Sequence, residues 1–411
     1  MAGRSFISRA AVCCIVAVAV GAAVAGCGSG PARQATAGSS APASGRPAST
    51  ASAAATTIPS LSAGQQGTQQ QVPWSQVGPG WFLAEWQQAA SPAGPTWLFL
   101  VDPAGGRYLI DTFPANPASS TPYLLIAWSG DGQRALLTSA AGATVGVLNL
   151  RTLALTEFGL GAGAGPLGFT APDGLAIIAN GSTGTGQVLQ RFSLTGQLEL
   201  SYPTSYPGGG TYEGSALYSA DGTELAVGTS TGVEMLSNDG QDLSFLAVSS
   251  SVGYCTPDRW WSATVLLVGC DPDGSGIQQL WLVPTSGATP TALTASPPAA
   301  GDVGDLDAWQ LPSGTYLQDA GACGYVYVAK LASDGLTASV AVPGVPGGDS
   351  TVILGAQGNS LAIDALPACR QGASLMWFAP ATNSVTPLLG GAASGGGTVE
   401  SVFMFGQSQD G

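Results

Sequence analysis

The sequence predicts an all-β fold, a β-propeller built from four-stranded blades, and three observations lead to this prediction. One motif recurs along the chain, in which an apolar run is followed by a small residue, Asp-Gly and a second apolar run. Strong and weak copies of the motif are spaced by about 40–50 residues, the length of a four-stranded propeller repeat. No long amphipathic helical pattern interrupts the copies.

The motif itself has the chemistry of a tight β-hairpin. Asp can accept hydrogen bonds from its own backbone inside the turn, and the Gly that follows supplies a positive φ. The flanking runs are rich in Leu, Ile, Val and aromatic residues, which suits strands buried between sheets. We therefore assign a structural role in the turns to the pairs of the three strongest copies: Asp131, Gly132, Asp173, Gly174, Asp221 and Gly222.

The spacing of the turn glycines gives the number of blades. Five intervals follow one another from an early weak copy to the last one, and four of them are 42 to 52 residues long. The interval from Gly222 to Gly314 is 92 residues, so it contains two repeats, and we expect the missing turn near 258–261. The 340 residues from 72 to 411 then fit seven blades, with six and eight as the neighbouring counts. The turn glycines are Gly80, Gly132, Gly174, Gly222, Gly314 and Gly358.

The turn at Trp128-Ser129-Gly130-Asp131-Gly132 resembles the WD40-like repeats of TolB-type β-propellers, whose signature is Trp-Ser-Pro-Asp-Gly. The resemblance is good in three repeats and faint in the others, and it covers the C-terminal four-fifths of the chain. It implies a propeller fold and does not specify a function. The chain has no room for the separate N-terminal α/β domain of TolB, so the partners of TolB are not implied.

The N-terminus has the pattern of a lipoprotein signal peptide. A basic start with Arg4 and Arg9 precedes an apolar run from 10 to 24, which is short for a transmembrane helix. The run ends in Val24-Ala25-Gly26-Cys27, which resembles the lipobox of bacterial lipoproteins. The resemblance implies cleavage after residue 26, a lipid on Cys27, and a protein anchored to the cell membrane facing outside the cytoplasm. A plain secretory signal or a retained anchor is the alternative.

Composition divides the rest of the chain into a tether and a domain. The segment 27–71 contains Ala, Ser, Thr, Gly, Pro and Gln with no acidic or aromatic residue. Such a segment cannot bury enough apolar surface to offset the entropy of ordering it, so we expect a disordered tether. All acidic residues lie further on, and we assign 72–411 to the propeller domain.

Charge and composition exclude several classes of function. The chain has 25 acidic and 11 basic residues, a net charge of −14, which argues against a nucleic-acid partner. It has no histidine, which excludes a Ser-His-Asp triad, a Cys-His dyad and histidine-ligated metals. A single lysine beside abundant Gly and Ala is typical of GC-rich bacteria such as actinomycetes. No cofactor is predicted.

Four cysteines remain in the predicted domain, and an exported protein with an even number of cysteines is expected to form disulfides. Cys255 and Cys270 flank one hairpin and can pair across it. Cys323 and Cys369 occupy matching places in consecutive repeats, so a disulfide between them would join two blades. The alternative is that one pair stays reduced.

Two acidic segments are candidate sites. Asp271, Asp273 and Ser275 resemble the first half of a calcium loop, but the twelfth position is Leu282, so an ordinary polar loop is favoured. A second group, Asp302, Asp305 and Asp307, lies in what we interpret as a segment between blades. Paired carboxylates could support glycosidase chemistry, although a solvated loop is the favoured interpretation.

Ring closure is the last structural prediction. The C-terminal segment 399–405 looks like the first strand of another repeat, and 81–86 looks like a second strand without a first. Because an open sheet edge exposes unpaired backbone groups, we expect these two segments to pair in blade 1. The segment 73–75 is the alternative partner.

These features favour a non-catalytic binding or scaffold module that binds a protein or glycan partner at the cell envelope. The alternative is a carboxylate-based hydrolase or lyase acting on envelope glycans or peptides.

Overall fold

The structure is a computed structural model, and it describes most of the chain beyond residue 60. The predicted signal peptide, with Cys27, and most of the predicted tether lie outside the described residues. The described ranges are 61–88, 94–114, 123–139, 142, 144–161, 163–183, 186–208, 210–248, 254–271, 277–296, 302–321, 324–367, 372–391 and 396–406.

The strands form a seven-bladed β-propeller, as the sequence predicts. Within each of blades 2 to 7, four antiparallel strands follow one another in chain order, and the first strands of blades 2 and 3, of blades 4 and 5, and of blades 6 and 7 contact each other. Blade 2 comprises β5 (Tyr123–Trp128), β6 (Arg134–Ser139), β7 (Val145–Asn149) and β8 (Leu155–Phe158); blade 3 comprises β9 (Gly165–Phe169), β10 (Ala176–Thr183), β11 (Gly186–Ser193) and β12 (Leu198–Ser201). Blade 4 comprises β13 (Tyr212–Tyr218), β14 (Glu224–Thr229), β15 (Val233–Ser237) and β16 (Asp242–Leu246); blade 5 comprises β17 (Cys255–Ser262), β18 (Val265–Cys270), β19 (Gln279–Pro284) and β20 (Thr291–Ala292). Blade 6 comprises β21 (Asp302–Leu311), β22 (Gly314–Gly321), β23 (Val326–Leu331) and β24 (Thr337–Ser339); blade 7 comprises β25 (Ser350–Gln357), β26 (Ser360–Leu366), β27 (Ser374–Ala379) and β28 (Ser384–Leu389).

Blade 1 closes the ring with strands from both ends of the domain. The C-terminal strand β29 (Thr398–Met404) is its innermost strand and pairs antiparallel with β2 (Phe82–Gln87). β3 (Thr96–Val101) and β4 (Arg107–Phe113) complete the four-stranded order. This pairing confirms the predicted closure. The alternative segment, 73–75, lies in a coil and turn before β2.

A fifth strand extends blade 1, and it corrects the predicted domain boundary. β1 (Gln66–Thr68) pairs parallel with β4 on the outer edge of the blade. A one-turn 3₁₀ helix, η1 (Gln69–Gln71), follows it. The Gln71 side chain accepts a hydrogen bond from the Thr68 amide at 2.8 Å. Residues 61–71 therefore belong to the folded domain and not to the tether, because backbone pairing can order a polar segment that buries little apolar surface.

The core consists of seven apolar clusters between neighbouring blades. Each cluster takes side chains from two adjacent sheets, so every sheet buries both faces. In the cluster between blades 1 and 2, for example, Leu83 and Leu100 pack with Leu137 and Leu148, all of them buried. This arrangement explains the continuous apolar runs of the sequence, because a strand covered on both sides needs no polar alternation.

The Asp-Gly turns join the first and second strands of their blades. Gly132, Gly174 and Gly222 have φ values of 70°, 69° and 73°, in the left-handed region that favours glycine. In blade 4, the Asp221 carboxylate accepts hydrogen bonds from the Ser219 hydroxyl at 2.7 Å and the Thr223 amide at 3.1 Å.

The turn expected near 258–261 lies slightly further along the chain. Residues 258–261 belong to β17, and the turn is at 263–264, before β18. The expectation failed because neither turn position is glycine or aspartate, so the chain gives no turn signal at this point.

Cys255 and Cys270 form a disulfide, as proposed from their spacing. They are directly opposite each other on β17 and β18, and both are fully buried. Cys323 and Cys369 lie outside the described residues. No helix in the described ranges has the length and apolar character needed to cross a lipid bilayer.

Candidate functional site

A cavity of about 560 Å³ lies where the innermost strands end and their turns begin. Its wall comes from β5, β9, β13 and β17, the first strands of blades 2 to 5, from the turns that follow three of them, and from Ile178 of β10 and Gly406 after β29. Cavities of this size that are lined mainly by apolar and aromatic groups are typical of ligand-binding sites. The lining residues are Trp128, Gly130, Leu167, Gly168, Phe169, Thr170, Ala171, Pro172, Ile178, Ala216, Leu217, Tyr218, Ser219, Ala220, Arg259, Trp260 and Gly406.

The three signature turns build this region by packing against one another. The Arg134 guanidinium in blade 2 donates to the Asp131 carboxylate at 2.8 Å and to the Asp173 carbonyl of blade 3 at 3.2 Å. A Cβ on Gly222 would come within 2.1 Å of the Ala171 carbonyl oxygen. Because the turns are in such close contact, blades 2 to 4 present one continuous rim around the cavity.

Arg259 supplies the positive charge in the cavity wall. Its Nε donates to the Asp307 carboxylate at 2.6 Å, and its Nη2 donates to the other oxygen of the same group. The guanidinium also lies over the Trp309 ring, 4.2 Å from its centroid. The bidentate ion pair and the ring contact hold the side chain in one orientation.

The cavity was not predicted, although the sequence carries a signal for it. In each of the three strong motifs an aromatic residue directly precedes the Ser or Thr of the turn: Trp128, Phe169 and Tyr218. All three line the cavity, and Trp260 near the end of β17 joins them. An aromatic residue repeated at the last position of the innermost strand therefore predicts an aromatic-lined centre.

The predicted acidic group is in the structure, but not in a solvated loop between blades. Asp302, Asp305 and Asp307 all lie on β21, the innermost strand of blade 6, and they are 8%, 2% and 6% exposed. The prediction of a solvated loop was wrong because the three carboxylates interrupt the apolar pattern by which a strand is identified in the sequence.

The structure also divides this group in two. Asp307 pairs with Arg259, whereas Asp302 and Asp305 meet Asp319 of β22. Asp319 was not among the candidate site residues from the sequence. Its one signal there is that Asp364 occupies the equivalent position in the next repeat.

Burial controls the charge of this second acidic cluster. It raises the pKa of Asp305 to about 6, and the neighbouring Asp302 carboxylate adds to the shift. It raises the pKa of Asp319 to about 8, with contributions from Asp305 and Asp302. Both shifts disfavour the ionised form of the carboxyl group, because like charges in a desolvated site repel one another.

The loop that begins at Asp271, for which the sequence favours an ordinary polar loop over a calcium site, is described only in part. Asp271 is buried at the end of β18, and its amide donates to the Tyr254 carbonyl at 3.2 Å. Asp273 and Ser275 lie outside the described residues.

Comparisons with known proteins give a likeness in fold. No protein-family model matches the chain, and no curated protein matches it. Among solved structures, the Myceliophteria thermophila Cps50 (Swd1) β-propeller domain is 15% identical with a TM-score of 0.46, over 67% of this chain and 88% of that one. TolB from Acinetobacter baumannii is 13% identical with a TM-score of 0.43, over 79% and 66%. An acylaminoacyl peptidase from Pyrococcus horikoshii is 12% identical with a TM-score of 0.46, over 75% of this chain and half of that one. At these values the likeness extends to the propeller architecture alone.

Proposed function

We propose that the protein is a non-catalytic binding module whose cavity receives an apolar or aromatic group of a protein partner. The observation that carries the proposal is the cavity wall, in which Trp128, Phe169, Tyr218 and Trp260 come from four successive blades. Aromatic side chains bury a large area and have few rotatable bonds, so they bind an inserted group at low entropic cost. A glycan partner is the second candidate, since the same rings could stack on sugar faces.

The position of the carboxylates supports binding rather than catalysis. Asp302, Asp305 and Asp319 are at most 8% exposed and do not line the cavity. Asp307 is engaged by Arg259. A glycosidase needs two carboxyl groups on either side of the bond that it cleaves.

The test uses a substitution that fills the cavity. Ala220 is an exposed residue of its rim, so Ala220→Trp is expected to block the cavity without disturbing the core. The control is Ala332→Trp, at an exposed position after β23 in blade 6. A partner captured from the native envelope by the unaltered protein and by the control, but not by Ala220→Trp, would support the proposal. Capture by all three proteins would contradict it.

The enzymatic alternative needs its own assay. Envelope glycans and peptides would be incubated with the unaltered protein and with an Asp302→Asn/Asp305→Asn double variant. Hydrolysis or elimination that is lost in the double variant would replace the binding proposal with a carboxylate-based enzyme.

We also propose that the module is held at the outer side of the cell membrane by a lipid on Cys27, on the sequence pattern alone. Cys27→Ser is expected to release the protein into the medium or to leave an uncleaved precursor. Mass spectrometry of the mature N-terminus measures this directly, and an unmodified N-terminus elsewhere in the chain would contradict it.

A further inference from the structure

The innermost hairpin of blade 6 brings three carboxylates together. One oxygen from each of Asp302, Asp305 and Asp319 lies within 4.8 Å of the other two. Asp305 and Asp319 are directly opposite each other on β21 and β22. Two residues that are three positions apart on a regular strand point to opposite faces, but the register of β21 shifts between Asp302 and Asp305.

Gly304 makes this irregularity possible. Its φ is 127°, and a Cβ there would lie 2.8 Å from the Gln278 amide nitrogen. The Gln278 carbonyl accepts the Asp305 amide at 3.1 Å. The backbone between the two aspartates is thus held against the preceding blade, in a conformation that favours glycine.

Asp319 is the observation that points to a ligand. Its side chain is completely buried, and among the described residues neither carboxylate oxygen has a hydrogen-bond partner of normal geometry. Asp305, 2% exposed, also has one oxygen, Oδ1, to which no residue in the described ranges makes a hydrogen bond of normal geometry. Buried polar groups are normally satisfied, and an unsatisfied carboxylate costs more than a neutral group. Asp302 differs, because it accepts the Thr337 hydroxyl at 3.0 Å and the Gly304 amide at 2.8 Å.

No basic side chain in the described ranges forms an ion pair with the cluster. Among the described residues, the ion pairs within 4.0 Å are Arg134–Asp131, Arg191–Glu199 and Arg259–Asp307, and none of them includes Asp302, Asp305 or Asp319. Three buried carboxylates facing one another without a positive charge lack the partner that buried charges require.

We propose that Asp302, Asp305 and Asp319 bind a calcium ion inside blade 6. Carboxylate oxygens are the ligands that hard divalent cations prefer, and Ca²⁺ binds them at about 2.3–2.6 Å. Two ligands on opposite sides of Ca²⁺ are then about 4.6–5.2 Å apart, whereas Mg²⁺, at about 2.0–2.1 Å, needs a smaller and more regular shell. The three oxygens lie within 4.8 Å of one another, so a single Ca²⁺ ion can contact all three.

Bound Ca²⁺ would join β21 to β22 and, through the hydroxyl of Thr337 on Asp302, would also hold β24. We expect it to stabilise the folded state, because an ion that binds only the folded protein raises the free energy of unfolding with its concentration.

The test compares thermal unfolding of the EDTA-treated full chain with and without CaCl₂. Calcium is expected to raise the Tm of the unaltered protein by roughly 5 °C once its concentration is well above Kd. Asp319→Asn should lose this response and should unfold no earlier than the unaltered protein without calcium, because the amide has the shape of the carboxyl group and carries no charge. The matched control is Asp364→Asn, since Asp364 is the equivalent, fully buried residue on β26 of blade 7. This variant should keep the full calcium response.

Terbium luminescence gives a second measurement that does not depend on stability. Tyr327 is directly opposite Asp319 on β23, so its ring can transfer excitation energy to Tb³⁺ in the site. We expect emission that CaCl₂ abolishes, and weaker emission at unchanged Tb³⁺ affinity in Tyr327→Phe. An unaltered protein that shows neither a calcium-dependent Tm nor Tb³⁺ emission would overturn the proposal. A calcium response preserved in Asp319→Asn, or tighter binding of Mg²⁺ than of Ca²⁺, would also overturn it.

Discussion

Blades 2 and 6 have the same four-stranded order but place their charged residues differently. In blade 2 the Asp131–Arg134 ion pair lies at the turn, and both side chains are about one-fifth exposed. In blade 6, Asp302, Asp305 and Asp307 lie on the innermost strand itself, and Asp307 reaches Arg259 of blade 5. The comparison shows that a blade does not require the Asp-Gly motif. It requires two faces that its neighbours can cover, with apolar groups or with a charge of opposite sign.

Ring closure separates blade 1 from all the others, and breaking it should have the largest effect. Deleting 399–411 removes β29, which exposes the edge of β2 and the apolar side chains that Val399, Val402 and Met404 cover. We expect loss of cooperative unfolding, with aggregation, in thermal and urea melts. Deleting only 407–411 is the control and should leave the melt unchanged. A cooperative melt after the longer deletion would show that β29 is dispensable.

The two ion pairs provide the next comparison. Asp307→Ala leaves the Arg259 guanidinium largely buried without its partner, and we expect a loss of about 3–5 kcal/mol in the free energy of unfolding. Asp131→Ala in blade 2 should cost only about 1 kcal/mol, because solvent reaches that pair. Urea unfolding of both variants measures the difference. Equal losses would mean that the burial of the ion pair does not decide its contribution.

The disulfide should contribute less than the buried ion pair. Cys255→Ala/Cys270→Ala removes a crosslink between residues 15 positions apart, and restriction of the unfolded chain predicts a loss of about 3 kcal/mol. A reductant should lower the stability of the unaltered protein more than that of this variant. If the free energy of unfolding of the unaltered protein is the same with and without dithiothreitol, the Cys255–Cys270 crosslink is not stabilising.

Two turn glycines separate backbone strain from packing. Gly358→Ala should cost about 1 kcal/mol, because its φ is 58° and no atom lies within 4 Å of the added Cβ. Gly222→Ala should cost at least about 2 kcal/mol, since the added Cβ also meets the Ala171 carbonyl oxygen in the neighbouring turn of blade 3. Similar losses for the two variants in urea melts would show that the turns of blades 3 and 4 can move apart at no cost in the free energy of unfolding.

A buried glutamate in blade 4 should give the smallest effect, visible as pH dependence. Glu234 on β15 is 1% exposed, and burial, helped by the Asp242 charge, raises its pKa to about 7. The folded protein holds this proton where the unfolded chain has lost it. The contribution of Glu234 to the free energy of unfolding is therefore fully present below about pH 4.5, and it is lost as the pH rises to about 7.

Glu234→Gln should remove that decline, so the variant gains stability relative to the unaltered protein between pH 5 and pH 8. Glu213→Gln, at an exposed position of the same blade, is the control. Parallel curves of Tm against pH for the unaltered protein and Glu234→Gln would contradict the assignment.

The sequence by itself determined the architecture of the protein. The Asp-Gly turns, the apolar runs between them and their spacing indicate seven blades because turn chemistry and strand burial are local properties that recur in every repeat. The two incomplete segments at the ends of the domain likewise predicted closure, since each lacked a strand that the other could supply. The aromatic residue before each signature turn was visible too, although its meaning depends on how the blades are arranged.

Only the tertiary structure decided how the polar residues are used. Asp307 pairs with Arg259 from another blade, and Asp319 meets Asp302 and Asp305 through a register shift at Gly304. β1 joins blade 1 although its composition resembles a tether. The reason is physical: charge compensation, bulges and edge pairing depend on residues that are distant in the chain, whereas a turn or an apolar strand depends on its immediate neighbours.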